Sequence, residues 1–167
     1  EPYRRQRQMC IRDRAKEYWL TQFSGNYKRE ATLNEERLSE GVKILDSKLG
    51  IRAHQMRIPS FILSLNGPAK ENEGEVLAAS LRWSGSFQFA FDVDWNKNLR
   101  LLTGMNPLGS QYNLERGGTF TTPAILYTYS KQGKGEASRR FHRWAMANAI
   151  RDAEKDRPVL LLSLIHI

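Results

Sequence analysis

A chain of 167 residues, 40% of them hydrophobic and 26% charged, is long enough for one domain of ordinary size with a buried core. Its 26 basic residues outnumber 18 acidic ones, a net charge of +8 that invites a nucleic-acid partner. The single cysteine, Cys10, excludes an internal disulfide framework, and no apolar run approaches the roughly 18 residues that cross a bilayer.

The basic excess is partly local. Residues 1–14 hold five arginines and two acids, so setting them aside leaves 21 basic against 16 acidic residues, a net +5. The run Arg5–Arg14 and the end Ser163–Ile167 resemble translated sequencing-adapter sequence, which is excluded from fold reasoning like a tag. Residues 1–14 are therefore expected to be artefactual and disordered, residues 162–167 artefactual, and the protein proper to run from Ala15 to Leu161.

In chain order, Tyr18–Phe23 reads as a strand and Asn34-Glu35-Glu36 as a polar loop. Gly41–Leu49 is a predicted strand with Val42 and Ile44 opposed to Lys43 and Leu45. Pro59 opens Ser60–Leu65, where Phe61, Leu63 and Leu65 alternate with Ile62 and Ser64 until Asn66-Gly67-Pro68 breaks the run. Glu71–Glu75 is read as a surface loop. From Gly74 to Ser130 the pattern is the period of two of half-buried strands. Leu77, Ala79, Leu81 and Trp83 share one face, and Phe87, Phe89, Phe91 and Val93 another. Ser84-Gly85 between them is read as a hairpin turn. Asn96-Lys97-Asn98 and Arg116-Gly117-Gly118 punctuate further runs at Leu99–Met105, Ser110–Leu114 and Thr119–Ser130, giving a five-stranded antiparallel meander. Eight or nine short strands without an internal repeat predict a mainly β protein, an antiparallel β-sandwich. After Gly133 and Gly135 the period becomes helical, with Ala137, Phe141, Trp144, Ala145 and Asn148 on one side of a helix over Glu136–Ile150. Arg157-Pro158 then leads into Val159–Leu162, a continuous apolar run of the buried parallel-strand kind.

The chemistry-bearing residues are few. Asp92 and Asp94 lie on one strand face, but paired acids opposite a Phe-Phe-Phe-Val face are what a solvated strand surface carries, so no catalytic residue is assigned. His54 reads as a surface or interface histidine, His142 as a packing or hydrogen-bonding one, and His166 falls in the suspect tail. No metal spacing, phosphate loop or nucleophile elbow is present, so no metal and no cofactor are expected. Arg139, Arg140 and Arg143 on one helix read as a solvated face rather than a phosphate-binding patch, so no nucleic acid is expected. Among the tryptophans, Trp83 and Trp144 fall on apolar faces and are expected to be buried. Trp95 and Trp19 remain as weak candidates for carbohydrate contact, because an indole stacks on the apolar face of a sugar ring.

A series of short motifs carries a family likeness. Phe23-Ser24-Gly25-Asn26-Tyr27-Lys28-Arg29-Glu30, Glu40-Gly41-Val42-Lys43, Pro59-Ser60-Phe61, Gly74-Glu75-Val76 and Trp83-Ser84-Gly85-Ser86-Phe87 come first. Gly104-Met105-Asn106-Pro107, Phe120-Thr121-Thr122-Pro123, Tyr129-Ser130, Gly133-Lys134-Gly135, His142-Arg143-Trp144 and Arg157-Pro158-Val159-Leu160-Leu161 come after. In this order the chain resembles the amino-terminal domain of the family-36 glycoside hydrolases, the bacterial and fungal type of α-galactosidase. Family members read on from the last two leucines into Asn-Asn-Trp-Glu-Ala, inside a catalytic (β/α)8 barrel.

The resemblance implies the second half of a β-supersandwich over residues 15–132, a linker helix and loop over 133–156, and the first strand of a truncated barrel over 157–161. It implies a parent that hydrolyses terminal α-galactosides by a retaining route, its catalytic aspartates C-terminal of Leu161, and that is a homo-oligomer. The chain alone is then expected to be inactive. Cytoplasm is favoured for a bacterial parent, and no membrane partner is expected. Two other readings stand beside it: a stand-alone carbohydrate-binding β-sandwich and a basic nucleic-acid-binding module. Within the family, α-N-acetylgalactosaminides are an alternative substrate.

Overall fold

The computed structural model describes residues 7–11, 15–26, 28–48, 50, 57–108 and 112–150. Among them nine strands come first: β1 (Arg7–Ile11), β2 (Tyr18–Asn26), β3 (Arg29–Arg37), β4 (Gly41–Asp46), β5 (Arg57–Leu65), β6 (Glu75–Arg82), β7 (Phe87–Val93), β8 (Leu99–Met105) and β9 (Ala124–Ser130). One helix, α1 (Gly133–Asn148), comes after them. All strand pairs are antiparallel. They form a four-stranded sheet in the order β1-β8-β7-β4 and a five-stranded sheet in the order β3-β2-β5-β6-β9.

Alternation dictates which face of each strand goes inward. Phe87, Phe89, Phe91 and Val93 on β7, with Leu99 and Leu101 on β8 and Leu45 on β4, meet Tyr18, Leu20, Phe61, Leu63, Leu65, Leu77, Ala79 and Leu81 of the larger sheet. At the centre the Phe61 ring stands edge-on to Phe89 at 5.2 Å and to Phe91 at 4.9 Å, the geometry that aromatic quadrupoles favour. Val42 and Ile44 face outward, opposite buried Leu45.

The hairpin expected at Ser84-Gly85 is not one. β6 has both edges occupied, by β5 and β9, and β7 has both occupied, by β4 and β8. The chain therefore crosses from one sheet to the other at Ser84-Gly85, and no five-stranded meander forms. Trp83, expected to be buried, is 39% exposed at this crossing, where its indole N–H donates to the Ser86 carbonyl at 3.2 Å. Asn34-Glu35-Glu36 is not a loop either, since all three lie in β3, paired along its length with β2. Tyr112–Leu114 form no strand, and the last strand begins at Ala124 rather than Thr119. Residues 7–11, expected to be disordered, pair with β8 from Arg7↔Thr103 to Ile11↔Leu99. The expected strand over 157–161 and the terminal residues 162–167 lie outside the described residues.

Buried Asn106 fastens the end of the smaller sheet. Its Nδ2 donates to the Ser47 carbonyl at 3.1 Å and lies near the Asp46 carboxylate and the Phe87 carbonyl, while its Oδ1 accepts the Leu108 amide at 2.9 Å. One side chain thus ties the end of β4 to the start of β7 and the exit of β8.

The helix sits on the outer face of the larger sheet. Ala137 and Phe141 pack on Val76, Ala78, Ala69 and Ile62, so β6 is buried on both faces. A helix start leaves amides unpaired. Here the loop before β6 accepts them: Gly133 N donates to Gly74 O, Lys134 N to Lys70 O and Gly135 N to Glu71 O, at 2.9 to 3.0 Å. The approach is so close that a Cβ at Gly133 would lie 2.5 Å from two carbonyl oxygens, and its φ of 72° disfavours any side chain.

Two comparisons check this register by chemical denaturation. Phe89→Ala is expected to cost about 3–5 kcal/mol and Gln88→Ala no more than about 0.5; equal losses would show that the strand register is wrong. Gly133→Ala is expected to lower the melting temperature clearly, and an unchanged value would show that the helix start does not touch the loop before β6.

Candidate functional site

The acids singled out by sequence lie at the outer end of the β7–β8 hairpin. Asp92 is opposite Arg100, and their charged groups lie 3.5 Å apart. Asp94 closes the turn: Oδ1 accepts the amides of Asn96 and Asn98 at 2.9 and 2.8 Å, and Oδ2 accepts the Asn98 side-chain amide at 2.9 Å. The Asn98 side-chain amide, then its backbone amide, hold the Asp94 carboxyl below the usual range. A glycosidic general acid needs its pKa raised. Asp94 is tuned in the opposite direction, and Asp92 is tied to a guanidinium. The geometry is that of a braced turn.

The turn presents Trp95, 76% exposed. Lys97 takes the left-handed conformation, with φ 65°, and the Tyr18 hydroxyl donates to its carbonyl at 3.0 Å, anchoring the tip to the other sheet. Trp95 is therefore an exposed aromatic on a stiff support. Trp19 differs: it is half-buried on β2, and its indole N–H, like the hydroxyl of its cross-strand neighbour Ser64, is buried without a hydrogen-bond partner among the described residues. Of the two carbohydrate candidates, Trp95 is the accessible one. Trp144 is half-buried on α1 with the Arg82 guanidinium 5.8 Å from its ring centroid.

The arginines of α1 are engaged by one carboxylate. Glu136 meets Arg139, Arg140 and Arg143 at 3.2, 3.0 and 2.7 Å, and these bonds, led by that from Arg140, hold its pKa down at about 2. Arg140 also donates to the Tyr129 carbonyl on β9. His142 is exposed on the same helix, while His54 and His166 lie outside the described residues. Among the described residues no group of three or more His, Cys, Asp or Glu has metal-site geometry.

One polar constellation escaped the sequence reading. Thr21 on β2 is fully buried and donates to Glu35 on β3 at 2.7 Å, and the Lys134 ammonium from the first turn of α1 pairs with the same carboxylate. Burial pushes the Glu35 carboxyl up, the Lys134 and Thr21 hydrogen bonds pull it down, and the net shift is downward. This latch fixes the helix across the sheet. Its signal lay in the period of two that places Thr21 and Glu35 on one face once β3 is known to be a strand.

These features define a β-sandwich domain with a helix clamped to one face, its conspicuous acids and cations engaged with one another. Residues 6–115 match the glycosyl hydrolase family 36 N-terminal domain, and the chain belongs to that family. Alpha-galactosidase C of Emericella nidulans is 34% identical over 146 residues, covering 86% of this chain and 19% of the relative. Alpha-galactosidase AgaA of Geobacillus stearothermophilus is 31% identical over 139 residues, covering 82% and 19%. The crystal structure of AgaA superposes with a TM-score of 0.80 at 28% identity, over 90% of this chain and 20% of that one. An alpha-galactosidase from Lactobacillus brevis superposes with a TM-score of 0.76 at 29% identity, over 83% and 18%. The chain thus spans about a fifth of the length of the relatives it matches.

The Glu136 cluster sets an acid limb for the docked helix. A carboxyl whose folded pKa is depressed from 4.5 to about 2 contributes stability that is complete above the unfolded pKa and is lost as pH falls through the folded one. The melting temperature of the parent chain should therefore exceed that of Glu136→Gln above pH 4.5 and converge with it as the pH falls to about 2. Because the group is exposed, added salt should narrow the gap. A gap that persists unchanged at the acid end would refute the assignment.

Proposed function

We propose that this polypeptide is the non-catalytic β domain and linker helix of a retaining α-galactosidase that hydrolyses terminal α-galactosides of oligosaccharides. One observation carries the reading: the chain matches its α-galactosidase relatives over 82–86% of its own length and only 19% of theirs. Relatives of the Geobacillus type have been solved with stachyose and with raffinose, both α-galactosyl oligosaccharides, which supports that substrate class here. The catalytic carboxylates belong to a barrel beginning at residues 157–161 and lie beyond Leu161. Domain limits of 15–132 for the sandwich, to which β1 (Arg7–Ile11) is paired as an edge strand, and 133–156 for the linker helix and loop are proposed with it, as is a homo-oligomeric parent. The barrel also sets the choice between α-galactosides and α-N-acetylgalactosaminides.

Double displacement needs two carboxyls about 5–5.5 Å apart, one to protonate the leaving oxygen and one to form the glycosyl-enzyme intermediate. Asp92 and Asp94, bound to Arg100 and to the turn, are not available for those roles. The observation favouring a stand-alone carbohydrate-binding module is the braced, exposed Trp95, whose ring offers a flat apolar surface to a sugar. In the enzyme reading the same residue is proposed as an auxiliary carbohydrate contact.

Made alone, the chain is expected to release no nitrophenol from an aryl α-galactoside above the buffer rate. Turnover that disappears in Asp92→Ala or Asp94→Ala would overturn the reading and return catalysis to the β7–β8 hairpin.

A further inference from the structure

We propose that the β7–β8 turn is a carbohydrate-binding site that takes the galactosyl end of an α-galactoside, with that sugar ring stacked on Trp95 and its hydroxyls facing Asn96 and Lys97. This deepens the auxiliary contact named above and rests on the α-galactosidase reading for its substrate class.

The support under Trp95 is stiff. Asp94 accepts the backbone amides of Asn96 and Asn98 at 2.9 and 2.8 Å and the Asn98 side-chain amide at 2.9 Å. The Asp94 amide in turn donates to the Asn98 carbonyl at 3.0 Å, and the Lys97 amide to the Asp94 carbonyl at 3.0 Å. Lys97 is held in the left-handed region at φ 65°, its carbonyl tied to the Tyr18 hydroxyl of the other sheet. Yet the side chain that this scaffold carries is an indole left 76% exposed. A platform ordered before its ligand arrives loses little freedom on binding.

Charge and shape decide the class of ligand. The turn and the pair that flanks it carry Asp92 and Asp94 against Lys97 and Arg100, so the formal charges cancel and nothing there draws an anion such as a nucleic acid. A protein partner needs an apolar centre within about 800 Å² of surface on each side. Along the turn, however, Trp95 is followed by exposed polar Asn96 and Lys97. What fits is a small neutral ring with one apolar face. A galactopyranose is such a ring: its O4 is axial, so C3, C4, C5 and C6 form an unbroken C–H face on one side, and an indole covers such a face. A glucopyranose, with O4 equatorial, offers a smaller one. The galactosyl O3 and O4 then reach the rim of the indole, where a side-chain amide donates and accepts and an ammonium donates. Asn96 and Lys97 supply those groups.

Saturation-transfer NMR on the 167-residue chain, with raffinose and with maltotriose as the glucosyl control, tests the site. Transfer to raffinose is expected to be strongest at the galactosyl C–H face and several-fold weaker to maltotriose. Trp95→Ala should abolish it, Trp95→Tyr should keep part of it, and Asn96→Ala should weaken it several-fold, each with an unchanged melting temperature because both side chains are exposed. No transfer to raffinose, equal transfer to the two sugars, or a signal undiminished in Trp95→Ala would overturn the proposal. Turnover of an aryl α-galactoside by the enzyme expressed from the source locus reports separately on the enzyme reading: turnover without a raffinose signal on the chain overturns the site alone.

Discussion

The structure depends on one contact, the insertion of Phe61 from the larger sheet between Phe89 and Phe91 of the smaller. Two sheets that each bury one face have no fixed mutual position until side chains interlock across the gap. The paired edge-to-face rings set β7 over β5. That placement brings Leu45, Tyr18, Leu63 and Leu101 into the same core. Burial of each such ring is worth about 1.5–3 kcal/mol, so the cluster outweighs any ion pair on the surface.

A second level is polar and joins the helix to that sandwich. The Thr21–Glu35–Lys134 latch and the loop carbonyls of Lys70, Glu71 and Gly74 together hold the first turn of α1 on the outer face of the larger sheet. The helix therefore leaves the domain in a defined direction. Lys134 takes part in both contacts through its backbone amide and its ammonium, so the start of α1 has a fixed position on the sandwich.

Legibility in the sequence depends on burial. β7 was legible because Phe87, Phe89, Phe91 and Val93 are buried while Gln88 and Asp92 between them are polar and half-buried, so the period of two shows. β3 was not, because it is a margin strand whose core-side residues are polar and Glu36 there is held by Lys43 of β4. Thr32, Asn34 and Glu36 face inward there without being buried, and no period appears. Ser84-Gly85 carried a turn signal, but a turn signal does not say whether the next strand joins the same sheet, and the occupied edges of β6 and β7 decide that. Gly133 and Gly135 read as breakers before the helix; they are its first turn, small because the loop before β6 passes against them. The family likeness, carried by motifs spread over the chain, was legible throughout. The latch was hidden because its members, 99 residues apart between Glu35 and Lys134, meet only through the fold.

The proposal under test is that these residues form part of an α-galactosidase whose polypeptide continues past Leu161 into a barrel. Sequencing the source locus through codon 162 tests it most directly. The account predicts that Leu161 is succeeded by a continuation close to Asn-Asn-Trp-Glu-Ala and then by a barrel carrying two aspartates at strand ends. A locus that encodes Leu162–Ile167 and then a stop codon would contradict it and leave a binding module in its place.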